Sequence, residues 1–192
     1  MSLVRREQLV DHVTWGERRD RELPTILAVK AARRVHVGPH LTFLFENADT
    51  VRWQVQEMMR VERIVREADI LHELHTYNEL LGAPGELGCT LLVEIEDPQE
   101  RAAKLAAWLD LPRSLYAELA DGTRIRPAVD ARQVGEDRLS SVQYLKFPVA
   151  GQVPVALGAD HAAHQVHAAL STEQRAALAL DLSVVGLRPA AL

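Results

Sequence analysis

The run from Leu87 to Ile95 constrains this chain more than any other feature. Leu87, Cys89, Leu91, Val93 and Ile95 fall two residues apart and are all apolar, while Gly88, Thr90, Leu92 and Glu94 fill the positions between them. A period of two is that of a β-strand, whose side chains alternate between the faces of a sheet. One face is wholly apolar and the other is mixed, which predicts a strand at the centre of a sheet. Gly82-Ala83-Pro84-Gly85 before the run and Asp97-Pro98 after it supply turn and helix-start signals. Cys89 points inward on this reading, where a thiol behaves as a small, inert hydrophobe.

The flanking segments alternate between helical and extended patterns. Residues 3–34 read as helical, with Leu23, Ile26, Leu27 and Ala31 as a buried stripe, and with a kink or a fresh helix start at Pro24. Val35 and Val37, the break at Gly38-Pro39, and then Leu41, Phe43 and Phe45 predict a hairpin. Asn47 or Asp49 can cap the next helix, expected over 50–66, and a second helix follows over 68–81. Asp97, Pro98 and Glu100 open a helix that ends near Asp110. Asp121-Gly122 suits a type I′ turn between strands 115–119 and 123–129, with Pro127 confining the second strand to an edge or its end. Strands are expected over 139–147 and, because of Pro154, at an edge over 153–157. Residues 163–170 fit strand or helix, with the strand preferred. Ser171 to Gln174 is a capping box opening a last helix to about Leu182. Hairpins and helices in irregular order predict an α+β fold: a mostly antiparallel sheet built from hairpins, with several helices packed on it. One domain over 1–192 is expected, the segment 3–34 packing on a body 35–182 and the tail 183–192 loosely held.

Charge and cysteine content exclude several roles. The net charge of −5 leaves no cationic excess to neutralise phosphates, so nucleic-acid binding is not expected. A single cysteine cannot form an internal disulfide. No apolar run is long enough to span a bilayer, and the charged N-terminus lacks the apolar stretch of a signal peptide. These features predict a cytoplasmic protein with no membrane partner. The pairs Arg5-Arg6, Arg18-Arg19 and Arg33-Arg34 read as solvated helix faces.

Three groups of residues carry possible chemistry. Gln54, Glu57, Met58 and Glu62 share a broad face of the first helix after the hairpin. Polar groups on a face that must partly pack are costly unless paired. That face therefore lines a cavity, or else it is a salt-bridged surface helped by Arg60 and Arg63. Tyr77, Asn78 and Glu86 bracket the loop before the central strand and could converge on the same cleft, although Asn78 could equally satisfy loop backbone. Asp69 and His72 resemble half of a dimetal carboxylate site, which Glu57 and Glu62 would have to complete. His161, His164 and His167 would share a stripe of a helix and could bind a metal, but a strand separates His164 from the other two. Phosphate-loop, dinucleotide, nucleophile-elbow and zinc-type cysteine patterns do not occur.

The stretch Arg33-Arg34-Val35-His36-Val37-Gly38-Pro39-His40-Leu41-Thr42, with Phe45-Glu46-Asn47 and Thr50, resembles the DUF3501 family, a bacterial family of unknown function. The likeness continues through Gln54-Val55-Gln56-Glu57-Met58, Glu62-Arg63-Ile64, Tyr77-Asn78-Glu79-Leu80-Leu81, Gly85-Glu86-Leu87, Ser141-Val142-Gln143-Tyr144 and Phe147-Pro148. The resemblance implies that Glu46, Asn47, Gln54, Glu57, Glu62, Tyr77, Asn78 and Glu86 matter, and it does not feature the histidines. It also implies an accessory role in redox or peroxide stress, beside a rubrerythrin-like or iron–sulfur protein. A binding or accessory module is thus the first expectation. The alternatives are a metal-binding protein or enzyme using Glu57 and Glu62, and a structural homodimer. No cofactor follows from the sequence.

Overall fold

The structure, a computed structural model, describes residues 3–129 and 137–183. The stretch 184–192, expected to be loosely held, lies outside the described residues. The chain is α+β, and among the described residues every strand pair is antiparallel. Helix α1 (His12–Ala31) leads into the hairpin β1 (Arg34–Val37) and β2 (Leu41–Phe45). Helices α2 (Ala48–Val61) and α3 (Glu67–Asn78) follow, then β3 (Leu87–Val93), α4 (Pro98–Ala107) and the short α5 (Leu111–Ser114). Strands β4 (Leu115–Glu118), β5 (Arg124–Ile125), β6 (Ala128–Val129), β7 (Val142–Phe147), β8 (Ala156–His161) and β9 (His164–Ala169) precede the last helix, α6 (Thr172–Ser183).

Two sheets result, in the orders β1-β2-β3-β7-β6 and β5-β4-β8-β9. Strand β3 is central in the first, as its alternation predicts. The apolar rows of the two sheets face each other: Phe43, Phe45, Leu91 and Phe147 share a core with Leu115, Ala117, Leu157 and Ala159. Helices α2 and α3 pack with the N-terminal segment in a second cluster built on Val55, Met59, Ile70 and Leu74. Trp15 of α1 meets Trp53 of α2 edge to face at 5.0 Å in a third. Among the described residues no helix is long and apolar enough to cross a membrane.

Several boundaries differ from expectation for identifiable reasons. Residues 3–11 hold only a 3-10 turn over Arg6–Gln8, because two side-chain amides clamp the backbone there in place of a helical ladder. Asn78 bonds both the N–H and the C=O of Val4 at 2.9 Å. Gln56, fully buried, does the same for Val10 at 2.7 and 3.0 Å. No fresh helix starts at Pro24, which sits inside α1, and Leu27 and Ala31 are exposed rather than buried. Helix α2 stops at Val61 and not at residue 66. Arg63 adopts φ +52°, and the Ile64 N–H bonds the Met59 carbonyl at 2.9 Å, a Schellman closure that usually takes glycine.

The second half shows similar shifts. The turn at Asp121-Gly122 is not type I′: only Gly122 has positive φ, and the Gly122 N–H reaches back to the Leu119 carbonyl. This is the three-residue hairpin loop with a left-handed glycine at its end. Pro127 splits the following strand, so β5 edges one sheet and β6 the other. The strand expected at an edge over 153–157 instead begins at Ala156, past Pro154, and lies between β4 and β9. Strand β7 starts at Val142, later than expected. Residues 164–169 are a strand, as preferred. The predicted caps form: Asn47 accepts from the Thr50 N–H, Asp97 from Glu100 and Ser171 from Gln174.

Candidate functional site

The mixed face of β2 and β3 is turned away from the core, toward α2 and α3. Leu44, Thr90 and Tyr144 stand side by side across β2, β3 and β7 on that face. The chain leaves β2 at Glu46, whose N–H still bonds the Gly88 carbonyl at 2.9 Å. Opposite this row α2 presents Thr50 and Gln54, α3 presents Tyr77, and the turn after α3 presents Leu80. Lys30 enters from the last turn of α1. Between them lies a cavity of about 220 Å³. Gly88 lets the layers approach so closely, since a Cβ there would overlap the Leu80 carbonyl.

Glu46 is held in place from both sides. One carboxylate oxygen accepts from the Thr50 hydroxyl at 2.5 Å and the other from the Thr90 hydroxyl at 2.7 Å. Thr50 is fixed in turn by the Asn47 cap. The Asn47 amide also donates to Asp181 at 3.3 Å, and Asp181 takes two bonds from Arg33, at 2.7 and 2.8 Å. A continuous polar chain thus runs from Arg33 through Asp181, Asn47, Thr50 and Glu46 to Thr90. Arg33, read in sequence as part of a solvated basic pair, is only 8% exposed. Gln54 and Tyr77 line the same cavity. Burial raises the Tyr77 pKa, the Gln54 amide acts to lower it, and the nearby acids Glu73 and Glu62 add to the rise, so the phenol keeps its proton at neutral pH.

Of the residues expected at a site, Glu46, Gln54 and Tyr77 meet at this cavity. The others do not join them. Asn47 is a buried helix cap, Asn78 clamps Val4, and Glu86 accepts from the Ala83 N–H at 3.1 Å within its own loop. Glu57 faces α1, accepting from the Trp15 indole at 2.8 Å, from Arg19 at 2.9 Å and from Arg60 at 3.2 Å. Burial alone would raise its pKa, but the bonds from Arg60, Trp15 and Arg19 outweigh that and hold it below the usual range. Glu62 is exposed beyond the end of α2. Glu57 is thus committed to arginines and is not open to a shared metal with Glu62. Asp69 pairs with Arg66 at 2.7 Å, and His72 is exposed. Among the described residues no three His, Cys, Asp or Glu side chains group to hold a metal ion. Sequence reasoning missed Lys30, Thr50, Thr90 and Tyr144 as cavity residues. Only the mixed face of the central strand signalled Thr90.

The other histidines go to separate partners. His161 bonds Asp110 at 2.9 Å, and His167 meets the Tyr116 hydroxyl at 3.2 Å. His164 stacks on Trp108 with ring centroids 4.4 Å apart, and its Nε2 is buried without a hydrogen-bond partner. Lys104 reaches Nε2 of His40 at 2.6 Å beside this stack. Cys89 is buried, and burial pushes its thiol well above the ordinary range, which suits an inert core residue.

A family model described as a protein of unknown function, DUF3501, matches residues 3–182. Among solved structures, the chain is similar to a novel protein of unknown function from Burkholderia pseudomallei K96243. That likeness has a TM-score of 0.86 at 27% identity and covers 94% of this chain and 100% of that one. A search of curated proteins finds no match.

Proposed function

The chain belongs to the DUF3501 family, and from that premise we propose that it is a binding module taking a small polar molecule into the cavity between the first sheet and helices α2 and α3. One observation carries this reading. Glu46, Gln54 and Tyr77, which the family resemblance singles out, line one concavity although they come from the end of β2, from α2 and from α3. Ligand sites are concave, mostly apolar and furnished with a few placed polar groups. This cavity has apolar walls in Leu44, Val51 and Leu80, and its carboxylate is fixed by two threonines. Its volume is below the roughly 300 Å³ at which drug-sized sites begin, which points to a metabolite-sized ligand. A thermal-shift screen of small polar metabolites tests this. A hit should raise the melting temperature of the wild type, and Gln54→Leu and Tyr77→Phe should abolish the rise. Equal shifts in the variants would place the binding elsewhere.

The accessory role implied by the family resemblance completes the proposal: ligand occupancy would be read by a rubrerythrin-like or iron–sulfur partner. Sedimentation of the purified protein with a purified rubrerythrin should give a complex. Independent migration at tens of micromolar would remove the partner and leave the cavity reading intact.

A further inference from the structure

Two opposite charges line the proposed cavity, and neither is neutralised by the other. Glu46 is anchored by Thr50 and Thr90, both of which donate to it. Lys30 lines the same space and has no ion-pair partner among the described residues. A half-buried lysine and a half-buried glutamate that line one cavity without pairing leave both charges open to a third party. Burying a charge costs free energy unless it is matched, so the ligand that fits best is one that matches both at once.

We propose that the ligand is a small zwitterion of α-amino-acid size, its ammonium directed at Glu46 and its carboxylate at Lys30. Size supports this. At about 220 Å³ the cavity lies below the roughly 300 Å³ at which drug-sized sites begin, which favours a compact molecule over a nucleotide. The remaining walls fit as well. Leu44, Val51 and Leu80 suit a short aliphatic side chain, while the Gln54 amide and the Tyr77 phenol supply neutral polar contacts. A simple cation would leave Lys30 facing it, and a simple anion would face Glu46. Among charged ligands, only one that carries both charges avoids a like-charge contact, which is how a site selects against near relatives.

This inference rests on the cavity being a binding site, and the test separates the two. Calorimetric titrations of the full chain use glycine, L-alanine and L-serine as zwitterions, putrescine as the dication and propionate as the anion. The expected result is binding by at least one amino acid and neither control, weakened tenfold or more by both Glu46→Gln and Lys30→Met. Lys30→Met keeps the test decisive if Glu46→Gln fails to fold, because Lys30 has no structural ion pair to lose. Binding of putrescine or propionate alone would overturn the zwitterion and keep the cavity as a site. Amino-acid binding unchanged in Lys30→Met would overturn it too. Silence from all five probes would reject the zwitterion. If no metabolite in the thermal-shift screen acts through Gln54 and Tyr77 either, the site itself falls with it.

Discussion

At the scale of single residues, the polar groups that matter most are joined across long sequence distances. Arg33 and Asp181 are 148 positions apart, yet their buried pair anchors the chain of hydrogen bonds that ends at Glu46. No periodicity reveals such a pair, so Arg33 reads in sequence as one more surface arginine. Removing one member leaves the other charge buried and unmatched. Asp181→Ala should therefore cost about 3–5 kcal/mol in urea unfolding, while a double replacement by apolar residues of similar volume should cost far less. An equal loss in both variants would mean the pair contributes through packing alone. Glu57 also reads as a cluster carboxylate in sequence because it shares a face with Gln54. The structure turns it toward Trp15, Arg19 and Arg60. Glu57→Gln should lower stability by roughly 1–3 kcal/mol and leave binding at the cavity unchanged. A loss of binding without a loss of stability would return Glu57 to the site.

At the scale of elements, patterning that is local in sequence was legible and patterning set by tertiary contact was not. The central strand β3, the β1–β2 hairpin and the three helix caps follow from alternation and side-chain chemistry within a few residues. The end of α2 does not follow, because arginine gives no stop signal and the helix closes there only through Arg63 in the left-handed region. That conformation costs a non-glycine residue about 1 kcal/mol or more. Arg63→Gly should then raise stability by roughly 1 kcal/mol, since glycine enters the region freely. Denaturant midpoints would measure it, and a destabilised variant would show that the Arg63 side chain makes up for its backbone. The non-helical stretch before α1 was equally hidden, since Asn78 and Gln56 hold it from outside.

At the scale of the whole molecule, two layers of different character meet. The sheet-on-sheet core is apolar and closed, whereas the seam between the first sheet and α2–α3 is polar and hollow. Where the two sheets meet near α4, the His164 ring lies against Trp108, and burial first, then His40, Lys104 and His161, lower its pKa. Unfolding frees His164 to bind a proton near its ordinary pKa of 6.5. The unfolded state therefore holds more protons as pH falls below that value, and stability drops there, ahead of the carboxylates. The stability conferred by neutral His164 is complete above pH 6.5 and is lost as pH falls toward its folded pKa. His164→Phe should flatten the slope of unfolding free energy just below that value. A slope unchanged in the variant would assign the effect to another histidine.

The Gln54 side chain lines the cavity together with Tyr77, so its amide reports on occupancy. Its NMR resonance, followed while small polar metabolites are added, is the direct readout. A saturable shift of that resonance, shared by the Thr50 and Thr90 amides and absent from Asn78, is the predicted result. A Gln54 signal that stays fixed while resonances elsewhere move would contradict it.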